Sequence, residues 1–361
     1  MPKHKKLFIP GPTEVRPEVR EELARPMIGH RAKEFSELLM EVTPKVQKLL
    51  YTQNHVFMST SSSTGMMEGA VRNCVAKRCL NCVCGAFSQR WHEITLANGK
   101  EADPLEVEWG RAILPEMIDE RLATGKYDAI TLVHNETSTG VMNPLEEIAE
   151  VMRKYPDVTF IVDAVSSMAG VKIEVDRLGI DVCLAGVQKA FALPPGLTVV
   201  AVSDRALKKA KKIKSRGYYF DFLVFLRYLD DRQQTPTTPS IPHLYALNKQ
   251  MDDILAEGLE RRFARHREMA DYVRSWAREH FALFAQEGYE SDTVTAIRNT
   301  KGISVVGLNE ELAERGAMIS NGYGKLKEKT FRIAHMGDLQ LEEIKELLGW
   351  IDEIVAAQVR A

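Results

Sequence analysis

No run of the 361-residue chain is apolar for long enough to span a bilayer. The opening M-P-K-H-K-K-L-F-I-P-G-P is broken by proline and glycine too early for a signal peptide, so a cytoplasmic compartment is expected. Net charge is nearly absent too: 48 lysines and arginines face 50 aspartates and glutamates, for a formal charge of -2. That balance leaves no electrostatic footprint for nucleic acid or an anionic membrane. The one locally basic stretch, Lys208 to Arg216, reads as a solvated helix face. Five cysteines, an odd number at this length, do not make a disulfide framework. Cys79, Cys82 and Cys84 are close enough to suggest zinc, but Cys82 and Cys84 lie in a strand-like apolar segment and no second cluster completes four ligands, so no metal is expected. Also missing are a G-x-G-x-x-G after a strand and a G-K-[ST] loop, so no nucleotide site is expected.

What is present is an ordinary globular composition, 45% hydrophobic and 27% charged, in a chain longer than one core comfortably fills, so two domains are expected. The stretch Asp181 to Gly196, D-V-C-L-A-G-V-Q-K-A-F-A-L-P-P-G, reads as an apolar strand that runs into a small-residue turn. The turn presents Gln188 and Lys189 and is halted by Pro194, Pro195 and Gly196. Apolar neighbours disfavour the ammonium form of Lys189, and its free amine is then a nucleophile for an aldehyde such as pyridoxal phosphate (PLP). The alternative is a lysine that points into solvent. The run Val158 to Ser167, V-T-F-I-V-D-A-V-S-S, is a buried-type strand with Asp163 where apolar residues give way to small ones. A carboxylate there needs a cationic partner, and the protonated pyridine nitrogen of PLP is one; a helix N-cap or metal ligand is the alternative. From Phe57 to Asn73, hydroxyl residues lead into a helical pattern whose start offers unpaired N–H groups to a phosphate, through Ser63, Thr64 and Gly65, unless the cluster is only a cap.

The ordered set S-S-T-G-M-M-E-G-A-V-R-N, G-A-F-S-Q-R-W, H-N-E-T-S-T-G-V, V-D-A-V-S-S, Q-K-A-F-A-L-P-P-G-L, T-P-T-T-P-S and F-R-I-A-H-M-G resembles the class V, fold type I, PLP-dependent aminotransferases over nearly the whole chain. The alanine–glyoxylate and serine–pyruvate aminotransferase branch is the one it is most similar to. The resemblance implies an α/β fold, a large PLP-binding domain with a mostly parallel sheet and a small C-terminal α+β domain. The division expected is an N-terminal arm 1–15, a large domain 16–259 and a small domain 260–361. It further implies PLP on Lys189, with Phe87 stacked on the ring and Thr137, Asp163, Val165 and Gln188 around it. In the family the loop holding Thr238 crosses to the partner subunit's PLP phosphate, so a homodimer with shared sites is implied. This sequence departs from the pattern just upstream, where Gln234 and Thr235 stand in place of a tyrosine some relatives carry. The implied reaction is ping-pong amino transfer from alanine or serine to glyoxylate or pyruvate. A phosphoserine or aspartate donor with 2-oxoglutarate is the alternative. A cysteine desulfurase is disfavoured because no cysteine follows Cys183, and a lapsed binding scaffold because Lys189, Asp163 and Arg332 are all present.

In chain order, Leu7 to Val15 is expected to be an irregular arm, with Gly11 in its F-I-P-G-P-T, and arms of this kind line the substrate pocket in the family resembled. His30 and Arg31 precede a helix starting near Lys33; they read either as a surface pair or as a cationic contact for an anionic substrate, delivered to the neighbouring subunit. A helix over 65–78, a strand over 81–85 and Phe87 follow, with Trp91 on the next helix assigned to core packing. Tyr127 to Val133 is a further apolar strand, and the recurring strand, turn and helix imply a mostly parallel sheet covered on both faces. From Arg216 to Ile241 the prolines forbid a regular element, and a loop is expected. One long helical pattern then runs from about His243 to His280, through Gly258. Strands near 293–298 and 330–334 and a closing helix from Leu339 complete the small domain. Arg332, in F-R-I-A, is costly to bury unless paired; either an acidic bridge or a substrate α-carboxylate satisfies it, and the latter matches the family's arginine.

Overall fold

The computed structural model describes residues 4–360. Seven strands form the larger sheet, in the spatial order His55–Ser59, Thr198–Val202, Val182–Gly186, Thr159–Asp163, Ala129–Val133, Arg78–Val83 and Glu101–Glu106. Only Thr198–Val202 runs against the others. Side chains along each strand alternate between two cores: Ile130, Leu132, Phe160 and Val162 pack on one face, Ala129, Val133 and Ile161 on the other. A pleated strand imposes that period of two. Because helices cover both faces, no polar side remains and the strands read as unbroken apolar runs. Helix Lys33–Leu49 seals the first face with Phe35, Leu39, Val42 and Val46. Helix Ser63–Cys74 seals the second with Met66, Ala70 and Val71. The same alternation separates Cys79, in the second core, from Cys82 and Cys84 in the first.

A second sheet takes the order Lys6–Phe8, Ala317–Asn321, Thr330–Ala334, Val294–Arg298 and Ala282–Leu283. It packs with helices Leu259–His280 and Leu341–Arg360 around Phe8, Val273, Phe331, Ile333, Ile344 and Leu347. Among the described residues, no helix is long and apolar enough to cross a membrane.

Several boundaries differ from the sequence reading. The expected arm is regular at its start: Lys6–Phe8 pairs in parallel with Ala317–Ile319, and Phe8 is buried in the core of the second sheet. Pro10, Gly11 and Pro12 break the chain only beyond that strand. The segment Arg216 to Ile241 contains helix Phe222–Arg232, capped by Asp221, whose side chain accepts a hydrogen bond from the Leu223 N–H. Its prolines lie after Gln233 (φ 53°), so they forbid regular structure only there. The long helix is two, Ile241–Glu257 and Leu259–His280, because Gly258 at φ 89° cannot continue a right-handed helix. The helix expected over 65–78 spans Ser63–Cys74, with Arg78 already opening the next strand.

Candidate active site

The parallel strands of the larger sheet deliver functional residues at their C-terminal ends, where open α/β sheets bind ligands. Beyond His55–Ser59 come Ser63 and Thr64; beyond Arg78–Val83, Phe87; beyond Ala129–Val133, Thr137; Asp163 ends its own strand; beyond Val182–Gly186 come Gln188 and Lys189. These side chains, with Val165, line one cavity of about 120 Å3.

Lys189 is held by its backbone. Its carbonyl accepts from Thr13 Oγ1 (2.9 Å) and from the Ala192 N–H (2.8 Å), and the buried Arg262 donates to the neighbouring Ala190 carbonyl at 2.6 Å. Gly11 packs directly on the lysine stem: at φ 100°, a Cβ there would lie 2.5 Å from Lys189 Cδ. The amine donates to the Pro10 carbonyl. Burial, and then the nearby Arg332 charge, bring the Lys189 pKa down to about 8. Asp163 moves the other way. Burial raises it to about 6, although Trp91 Nε1–H (2.9 Å) and the Val165 N–H (2.9 Å) both donate to it.

Arg332, at the middle of the second sheet, is 7% exposed, and its hydrogen bonds go to carbonyls, Asn321 O (3.1 and 3.2 Å) and Thr137 O (3.2 Å). No acidic bridge forms among the described residues, and burial lowers its pKa to about 10. Thr137, whose hydroxyl meets Ser166 Oγ at 2.7 Å, therefore joins this guanidinium to the cavity wall.

A family model, aminotransferase class-V, matches residues 14–334. The chain belongs to the class V aminotransferases. It is 40% identical to an uncharacterized aminotransferase of Methanocaldococcus jannaschii, covering 96% of this chain and 92% of that protein. It is 33% identical to the L-aspartate–glyoxylate aminotransferase of Paracoccus denitrificans, covering 92% and 86%. An alanine–glyoxylate aminotransferase structure from Nostoc sp. superposes with a TM-score of 0.93 at 26% identity, covering 98% and 96%.

Class V membership implies PLP, and the residues of this aminotransferase fit that group. Ser63 Oγ and Asn135 Oδ1 are buried in the cavity wall without a hydrogen-bond partner among the described residues, which folded proteins rarely tolerate unless a ligand meets them. Helix Ser63–Cys74 begins beside them with no side-chain cap from Ser62; the Gly65 N–H bonds the Ser62 carbonyl at 3.0 Å, which leaves the N–H groups of Ser63 and Thr64 and the positive dipole end to meet a phosphate. Asp163 forms no ion pair among the described residues, which leaves its carboxylate available to a pyridinium.

Other expected residues fall elsewhere. Gly65 packs beneath Phe220, with a would-be Cβ 2.6 Å from that ring, and contributes close helix packing. His30, Arg31 and Thr238 are absent from the cavity wall of their own chain. Arg31 donates to the carbonyls of Thr235 (2.6 Å) and Pro236 (3.0 Å), so it shapes the 234–236 loop, and Thr238 Oγ1 lies 3.5 Å from His30 Nε2.

The aminotransferase also uses residues the sequence reading did not assign. Trp91, expected in the core, has its ring buried there while its N–H donates to Asp163 at 2.9 Å. Glu136, fully buried, accepts from Ser88 N (2.9 Å), Ser88 Oγ (2.8 Å) and Ser138 Oγ (2.6 Å), and so anchors the start of helix Ala86–Ala97 that carries Phe87. Arg90 and Tyr323 flank Phe87, the first with its guanidinium 5.1 Å from the ring, the second with ring centroids 5.1 Å apart. The signal available was spacing, because Phe87, Arg90 and Trp91 fall within one helical turn.

Proposed function

We propose that this aminotransferase moves an amino group from a small amino acid, alanine or serine, to a small 2-oxo acid, glyoxylate or pyruvate, in ping-pong fashion. The observation that carries the reading is one cavity walled by Lys189, Asp163 and Phe87, with a buried, acid-free Arg332 tied to it through Thr137. Bound PLP supplies the electron sink for loss of the α-proton. The chain's own residues do the rest. Lys189 would hold the aldehyde and would move the donor's α-proton with an amine whose pKa burial lowers to about 8. Asp163, oriented by Trp91, keeps the pyridine nitrogen protonated. Phe87 would stack on the ring, the start of helix Ser63–Cys74 with Ser63 and Thr64 would hold the phosphate, and Arg332 would grip the donor's α-carboxylate in its planar fork.

Thr238, on the loop that Arg31 braces, serves the partner subunit's phosphate site in a homodimer. Sedimentation of the holoenzyme at twice the chain mass supports that arrangement; a monomer with full activity rejects it. The relatives named for glyoxylate support it as the acceptor. Replacing Lys189 by Ala lowers amino transfer by at least about 100-fold and removes covalent cofactor retention after borohydride reduction and denaturing gel filtration. An active Lys189→Ala enzyme ends this reading. A second reading, an aspartate donor, has Arg90 in its favour.

A further inference from the structure

Resting on the transaminase reading, we infer that Tyr323 sets how large a donor side chain the site accepts, by walling off the space between Arg332 and Phe87. The half-buried tyrosine stands between these two residues. Its ring centroid lies 5.1 Å from that of Phe87, and the Arg332 guanidinium carbon lies 5.6 Å from it. A donor with its α-carboxylate on Arg332 and its α-amine directed at Lys189, beside a ring stacked on Phe87, runs along the phenol. A methyl or hydroxymethyl group passes there, and a branched side chain meets the ring.

The backbone under this wall is drawn shut. Tyr323 follows strand Ala317–Asn321 in a turn where the Gly322 N–H meets both Thr330 O (2.8 Å) and Asn321 Oδ1 (2.7 Å), and Asn321 Oδ1 also accepts from the Glu328 N–H at 2.8 Å. A Cβ on Gly322 would lie 2.6 Å from Thr330 Oγ1, so only glycine fits beneath the tyrosine. Beyond the ring, Leu326 is buried against Phe284 and Ala296, and Lys325 Nζ rests 4.1 Å from the Trp109 ring centroid. On the larger sheet's side Arg90 backs the wall, donating to the Tyr323 hydroxyl at 3.5 Å while its guanidinium lies 5.1 Å from the Phe87 centroid. The same turn positions Arg332, whose Nε and Nη2 donate to Asn321 O at 3.2 and 3.1 Å. One turn therefore fixes both the carboxylate clamp and the surface facing it. Their separation does not widen for a longer side chain while Arg332 keeps its bonds.

The test compares L-alanine and L-leucine as donors to glyoxylate, using wild-type holoenzyme, Tyr323→Ala and Tyr323→Phe. Expected is a wild-type kcat/KM favouring alanine by more than about 100-fold. Tyr323→Ala raises kcat/KM for leucine in absolute terms by more than about tenfold, a gain that damage to the fold does not produce. Tyr323→Phe keeps the ring and stays within about threefold of wild type for both donors. A wild type that uses leucine as well as alanine, a leucine value that Tyr323→Ala leaves unchanged or lowers, or a Tyr323→Phe enzyme as open as Tyr323→Ala overturns the assignment. Calorimetric titration of the holoenzymes with propionate and 4-methylpentanoate, the two carbon frames without the amine, reads the wall apart from turnover. Wild type binds the two acids within about threefold of each other. Tyr323→Ala binds the longer one more than about tenfold tighter, because each newly buried methylene is worth about fourfold. The same preference in both proteins overturns the wall. Should Tyr323→Ala fail to fold, wild type decides: a longer acid bound more than about tenfold tighter overturns it. If no donor supports amino transfer at all, the transaminase reading falls, while the two titrations still judge Tyr323 by themselves.

Discussion

Burial shifts two titratable groups toward each other across one small cavity, Asp163 up to about 6 and Lys189 down to about 8. For the lysine, the reactive form is the free amine, which is populated above its pKa. Reductive trapping of a small aldehyde on the cofactor-free protein should therefore rise with pH around a midpoint near 8; mass mapping that puts the midpoint above about 10, as for an exposed lysine, contradicts it. For the aspartate, a folded-state pKa raised above the ordinary 3.8 means that the native state holds its proton more tightly than the unfolded chain. Its stability contribution is complete below about 4 and is lost as pH rises through about 6. Urea unfolding of cofactor-free wild type and Asp163→Asn should thus show the balance moving toward the variant by up to about 3 kcal/mol between pH 4 and 7.5. A balance that moves the other way refutes the assignment. Both residues were legible in the sequence because their needs are chemical: an amine must be desolvated, and a buried carboxylate must be matched. Trp91, Glu136 and Arg90 were not legible, because their roles depend on which way one helix is rotated above the sheet, and a tryptophan that lies in the core satisfies an apolar pattern equally well.

At the scale of elements, the strand ends place the chemistry and close backbone approaches fix the helices that carry it. Gly85, with extended backbone, lies against the buried carboxylate stem: an added Cβ would sit 2.4 Å from Glu136 Cγ. Gly85→Ala therefore forces Glu136 and helix Ala86–Ala97 apart, which should cost about 1–3 kcal/mol and weaken cofactor affinity through Phe87. Urea melts together with a PLP titration check this, and a variant indistinguishable in both contradicts it. The strands of the larger sheet were readable from their apolar runs because both faces are covered. Helix Phe222–Arg232 is masked in the sequence by the three prolines that follow it, although F-L-V-F-L supplies Phe222 and Phe225 for the core beside Phe57. The break at Gly258 was visible as a residue and misjudged as a conformation, since a glycine inside a helical pattern does not reveal the sign of its φ.

Across the whole molecule, the two sheets communicate through Arg262. Rooted in helix Leu259–His280, it donates to Ala169 O (2.8 Å) and Ala190 O (2.6 Å), next to the reactive lysine, and pairs with Glu257 (2.9 Å). Arg262→Met should cost roughly 2–5 kcal/mol, because two buried carbonyls lose their donors. The PLP dissociation constant should rise in parallel, and unchanged unfolding and retention would show the link to be idle. The strand Lys6–Phe8 adds a consequence for biosynthesis. Its hydrogen-bonding partner, Ala317–Ile319, leaves the ribosome about 300 residues later, and the Pro10–Gly11 stretch that rests on Lys189 hangs from that same strand. A nascent chain thus carries the segment that rests on Lys189 on an unpaired strand until residues 317–319 have been made.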